Sequence, residues 1–97
     1  MERIKVTDIE GEPAGWFDPE KAYSLEEQTR WNGSNQISEA TGSQTEHEKL
    51  YLTASGQWIL NHWSQFQGRA ETFQLVTQGR AVEWLLQNQY KANELEH

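Results

Sequence analysis

The sequence predicts an α+β fold: an antiparallel sheet of four or five strands, laid out as a hairpin meander, with a C-terminal helix packed on one face. Three observations carry that expectation. The run from Tyr23 to Gly68 reads as two consecutive β-hairpins with aromatic residues on both faces. Two turn signals punctuate it, Asn32-Gly33 and Ser55-Gly56. Beyond it, Ala81, Val82, Trp84, Leu85 and Leu86 form an apolar stripe at helical spacing.

The elements follow in order. Ile4 and Val6 alternate with Arg3, Lys5 and Thr7, which suits a short, half-exposed edge strand over 3–9. Residues 10–15, Glu-Gly-Glu-Pro-Ala-Gly, are turn chemistry that breaks a regular element. Asp18 followed by Pro19 is a helix start, good for one or two turns over 18–22. Tyr23, Leu25, Thr29 and Trp31 alternate as in a strand. Ser24 and Glu27 also have the spacing of a capping box, which would open a helix. The Asn32-Gly33 turn favours the strand, and residues 36–40 complete the hairpin.

Residues 41–46 are a polar loop. The second hairpin runs from His47 to Ala54 and from Gln57 to about Gln65, with Ser55-Gly56 as a two-residue turn. That register sets Leu52 against Ile59, Leu50 against Asn61 and Glu48 against Trp63. On the other side it sets Thr53 against Trp58, Tyr51 against Leu60 and Lys49 against His62. Gln67-Gly68-Arg69 turns the chain, and Phe73, Leu75 and Val76 make a short apolar segment. Thr77 is placed to cap a helix over about 78–90, whose stripe reads as core.

Ninety-seven residues make one domain, here 1–94, with Leu95-Glu96-His97 reading as the start of a cloning tag. Only 35% of residues are hydrophobic, so five Trp, three Tyr and three Phe must supply much of the core. Eight Lys and Arg stand against fifteen Asp and Glu, a net charge of −7. That balance argues against a general nucleic-acid binder and against an anionic membrane surface. Solubility is its simplest consequence, and a basic partner is the sharper one. With no cysteine, disulfides and thiolate chemistry are excluded, which is compatible with a reducing cytoplasm. No apolar run approaches the ~20 residues of a membrane span, and the N-terminus has no secretory signal.

Several motifs sit together: Trp31-Asn32-Gly33 with Asn35 and Ile37-Ser38, Thr41-Gly42-Ser43-Gln44, His47-Glu48 with Leu50-Tyr51, Gly56 with Trp58, and Trp63-Ser64-Gln65 with Gln67-Gly68. The pattern resembles a family of small uncharacterised bacterial proteins over residues 16–88. The resemblance implies no particular activity, cofactor or site.

The chemistry-bearing residues support a binding reading first. Aromatics interleaved with amides suit stacking or a protein interface. The expected anchors are Trp31, Tyr51, Trp58 and Trp63, with Arg30, Lys49 and His62 as a polar rim. The partner would be a protein or a second copy of the chain, in a homodimer. A second reading is a small hydrolytic enzyme centred on His47, the histidine flanked by Glu46 and Glu48, with Ser43, Glu48 or His62 assisting. The two-residue turn would put His47 and His62 on one face, yet no HxxxH or HExxH spacing supports a metal, and no cofactor is expected. A third reading, a dimeric regulator on nucleic acid, requires Arg3, Lys5, Arg30, Arg69 and Arg80 to gather on one surface.

Overall fold

The computed structural model describes residues 3–66 and 71–88. The strands are β1 (Ile4–Thr7), β2 (Pro13–Phe17), β3 (Tyr23–Glu26), β4 (Thr29–Trp31), β5 (Gln36–Ser38), β6 (Glu46–Leu52), β7 (Trp58–Ser64) and β8 (Thr72–Val76). A 3₁₀ turn (Pro19–Lys21) precedes β3, and the helix α1 spans Gln78–Gln87. Six strands form one sheet in the order β2-β1-β8-β7-β6-β3, and β4 pairs with β5 in a separate two-stranded sheet. The fold class is α+β as expected, with one helix at the end of the described chain. The sheet is larger than four or five strands and is mixed, because β1 runs parallel to β8 through the pair Thr7 and Gln74.

Three local differences have physical causes. First, residues 13–17 are a strand, and the turn lies at 8–12. Asp8 Oδ1 accepts from Glu10 N at 2.9 Å and Glu12 N at 3.0 Å, which folds the chain back so that β2 pairs with β1. β1 is therefore interior, and β2 takes the edge with Pro13 at its first position, where a missing donor costs no ladder bond. Second, the expected strand over 23–31 breaks at Gln28. Its N–H goes to Asn88 Oδ1 at 2.9 Å and its carbonyl accepts Glu39 N at 2.8 Å, so the chain leaves the β6 ladder.

Third, the β6–β7 turn has three residues. Gly56 N donates to Thr53 O at 3.0 Å and Thr53 N to Gln57 O at 2.9 Å, with Gly56 at φ +88. This is a three-residue loop closed by a left-handed glycine. The extra residue shifts the register by one, so Leu50 faces Leu60, Tyr51 faces Ile59, Lys49 faces Asn61, Glu48 faces His62 and His47 faces Trp63. A one-residue shift exchanges the faces. His47 and His62 therefore lie on opposite faces of the sheet.

Each face has its own core. On one, Leu25, Leu50 and Leu60 pack against Ala81, Trp84 and Leu85 of α1. Thr77 Oγ1 caps α1 by accepting from Arg80 N at 3.1 Å, and Asn88 closes it by donating from Nδ2 to Trp84 O at 2.8 Å. Leu86 points away and is 56% exposed, unlike the rest of its expected stripe. The far end of the expected helix, 89–90, and the expected turn over 67–69 lie outside the described residues.

On the other face, Val6, Phe17, Tyr51 and Ile59 form the second core. In a flat sheet β2 and β6 would stand about 19 Å apart, four steps of roughly 4.8 Å. Yet the rings of Phe17 and Tyr51 meet edge-on at 5.2 Å. The sheet must curl on itself, so that its edge strand covers its own concave face.

Gly56 has open space where a Cβ would go, so substitution there is a conformational matter alone. Gly56→Ala is expected to lower stability by about 1 kcal/mol, from the left-handed backbone it would impose on alanine. Urea unfolding checks this: the midpoint should fall with the slope unchanged. An unchanged midpoint would mean that the turn has another geometry.

Candidate functional site

Glu27 lies one residue past β3, where the backbone ladder to β6 has stopped. Its side chain replaces the ladder. Oε1 accepts from Glu48 N at 2.7 Å and from Ser38 Oγ at 2.7 Å. Oε2 lies 2.6 Å from His47 Nδ1. The Glu27 side chain is only 10% exposed and that of His47 16%. A carboxylate only accepts, so the shared proton belongs to His47 Nδ1. In the neutral imidazole Nε2 is then the acceptor, and Gln65 Nε2 lies 3.0 Å from it. The Trp63 ring stacks on the imidazole with centroids 5.7 Å apart.

This is half of a nucleophile-activating arrangement: a carboxylate orienting an imidazole. Ser43 does not supply the other half. Its Oγ accepts from Thr45 N at 3.0 Å and Glu46 N at 3.2 Å, which holds its own loop, and it makes no hydrogen bond to His47.

On the opposite face, His62 sits between Glu46 and Glu48. Its Nδ1 is 3.3 Å from Glu48 Oε2 and its Nε2 is 3.4 Å from Glu46 Oε1, both long contacts. The other oxygen of Glu48 accepts from Trp84 Nε1 at 3.1 Å. Glu48 thus joins both networks, by its backbone N–H to Glu27 and by its side chain to α1. Among the described residues no group of three His, Asp or Glu side chains is arranged to hold a metal ion.

Beside Glu48 a cleft of about 620 Å³ opens between the start of α1, β8 and the β1–β2 turn. Ile9, Leu60 and Val76 supply apolar side chains to its walls, and Asp8, Glu48 and Arg80 supply charge. Among the described residues Arg80 has no ion pair. A second cleft, of about 320 Å³, is lined by Asn35, Gln36, Gln44, Thr45 and Gln65 and is almost wholly polar.

The residues expected to form one binding face are dispersed. Tyr51 is in the concave core at 8% exposure. Trp58 is half-buried against the helix-side core, and Trp63 is half-buried on His47. Trp31 stands on the outlying hairpin, 62% exposed. Arg30 Nε lies 2.7 Å from Glu39 Oε1, a charge contact rather than a well-directed hydrogen bond. Lys49 bonds Glu26 Oε1 at 3.0 Å. Burial pushes the Lys49 ammonium down, but the Glu26 hydrogen bond and the electrostatic influence of Tyr51 and Glu26 overcome this and hold it above its ordinary 10.5. The largest exposed rings are Trp16 and Trp31, on an edge strand and on the small hairpin.

Sequence reasoning missed Glu27. Its one signal, the spacing from Ser24, pointed to a helix cap. Its partner His47 is 20 residues away, and no local pattern reports such a pairing. No family model, curated protein or solved structure matches the chain. No helix among the described residues is long and apolar enough to cross a membrane.

Removing the Glu27 carboxyl strands the N–H of Glu48 and the hydroxyl of Ser38, a residue 1% exposed. Each buried donor left alone costs about 1–3 kcal/mol, so Glu27→Ala should lose roughly 3 kcal/mol in urea unfolding. Glu27→Gln keeps one acceptor oxygen and should lose less. A Glu27→Ala loss under about 0.5 kcal/mol, the level of an ordinary surface substitution, would contradict this placement.

Proposed function

We propose that the chain is a small binding module, and that its ligand site is the cleft between α1 and the β1–β2 turn. The observation that carries this reading is the cleft's composition: about 620 Å³, walled by aliphatic side chains, with charged groups at few points. Small-molecule sites typically have about 300–1,000 Å³ of mostly apolar wall with a few placed polar groups. The polar cleft near Gln65 has no comparable apolar wall to drive binding. The reading keeps the expectation of a binding protein and moves the site from aromatic rings to aliphatic side chains.

The curl of the sheet and the cover of α1 together explain why this cleft is open. Both faces carry a core, and α1 is only three turns long. It covers Leu25, Leu50 and Leu60. Gln74 and Val76 beside them stay only half-buried. Gln74 Nε2 donates to Asp8 O at 3.2 Å, tying the β1–β2 turn to the cleft's far wall.

Titration with hexanol, an uncharged probe with an apolar body, tests the site by methyl NMR. The methyl signals of Ile9, Leu60 and Val76 should shift together with one saturation curve. Shifts scattered over the molecule, or none up to the solubility of the probe, would sink the reading.

A further inference from the structure

We propose that the cleft takes a small amphiphilic amine, with its apolar body on Leu60 and Val76 and its ammonium on the Glu48 carboxyl. The inference rests on the cleft being the ligand site.

Glu48 is the unusual group in that cleft. Its side chain is 12% exposed, yet it lies among the cleft's walls. A carboxylate offers about four acceptor directions. Glu48 uses one for Trp84 Nε1 at 3.1 Å and one for a long 3.3 Å approach to His62. Acceptor capacity remains on a largely buried acid. Burying a carboxylate is costly unless its lone pairs are met, and a cationic donor meets them best.

Of the other charged and polar groups of the cleft, Asp8 and Gln74 are engaged in hydrogen bonds and Arg80 has the wrong sign to hold an ammonium. Asp8 Oδ1 holds the N–H groups of Glu10 and Glu12. The Gln74 amide is bound to Asp8 O. Arg80 is the cleft's cation, half-exposed at the start of α1, so water screens it better than the buried Glu48. An anionic amphiphile would gain a solvated ion pair with Arg80 and meet a buried like charge at Glu48. An amine has the reverse balance. The net charge of −7 adds a long-range preference of the same sign.

The ligand class therefore has three parts. It has an aliphatic or aromatic body short enough for the cleft. It has one protonated amine, with N–H groups to fill the open directions of Glu48. It lacks a carboxylate near that amine, since the acid would face Glu48.

Three probes of equal length separate this inference from the reading beneath it: hexylamine, hexanol and hexanoate, titrated into the whole protein near pH 7 at low salt. Hexylamine should bind about tenfold tighter than hexanol, and hexanoate more weakly than both. The Trp84 indole N–H signal should move with hexylamine and not with hexanol, because that N–H shares the Glu48 carboxyl. Glu48→Gln keeps an acceptor for Trp84, so the fold should hold. It should bring hexylamine down to the affinity that hexanol has for the same variant. Arg80→Gln should strengthen hexylamine binding a few-fold. If all three probes bind alike in the cleft, the amine inference falls and the cleft reading stands. If hexanoate binds tightest, Arg80 is the anchor and the inference is wrong in sign. If no probe binds, the cleft reading itself falls.

Discussion

The three-residue turn between β6 and β7 decides what the rest of the molecule can do. Side chains alternate along a strand, so one residue in the loop selects which half of each strand meets the helix. With Ala54, Ser55 and Gly56 in the loop, Leu50 and Leu60 pair beneath α1, and Tyr51 and Ile59 pair on the concave side. Glu48 then points at α1 and at the cleft, and His47 points at Trp63. Every functional statement about these residues depends on that one loop residue. The left-handed glycine that ends the loop is what makes three residues fit between right-twisting strands.

A second constraint acts at the other end of the same strands. β3 stops pairing at Glu26, and the carboxyl of Glu27 takes over from its backbone. One oxygen gathers the N–H of Glu48 and the hydroxyl of Ser38, and so fastens the β5 end to β6. The other fixes His47. Asn88 does similar work nearby, linking the end of α1 to Gln28 and so to the start of the small hairpin. The small sheet is thus held by polar side chains, with little apolar contact of its own. Its strands are exposed except at Ile37 and Ser38, which fits a hairpin attached by hydrogen bonds rather than by a shared core.

Much of the fold was legible because its signals are local. The Thr77 cap, the 3₁₀ turn at Asp18-Pro19 and the apolar alternation in β6 and β7 each need only a few neighbouring residues. What was not legible depends on partners far along the chain. The parallel contact of β1 with β8 joins Thr7 to Gln74, and no periodicity in either segment announces it. The turn length at 53–57 is not local information, because Ser55-Gly56 satisfies a two-residue turn as well as a three-residue one, and Thr53 decides by bonding Gln57 through both backbone and hydroxyl. The aromatic residues looked like one surface because composition does not report curl. Once the sheet closes on itself, Tyr51 joins a core and Trp31 is left on a separate hairpin. At the site, His47 and Glu48 were visible as an acid–base cluster, and Glu27 was not, because its role arises where a strand ends.

Cross-strand proton contacts in β6 and β7 test the central claim most directly. Antiparallel partners bring their Hα atoms close in alternate pairs, so a nuclear Overhauser spectrum reads the register without reference to any ligand. The register described here predicts contacts linking Leu50 with Leu60 and Glu48 with His62. Contacts linking Tyr51 with Leu60 and Lys49 with His62 would restore the two-residue turn, exchange the faces and remove Glu48 from the cleft.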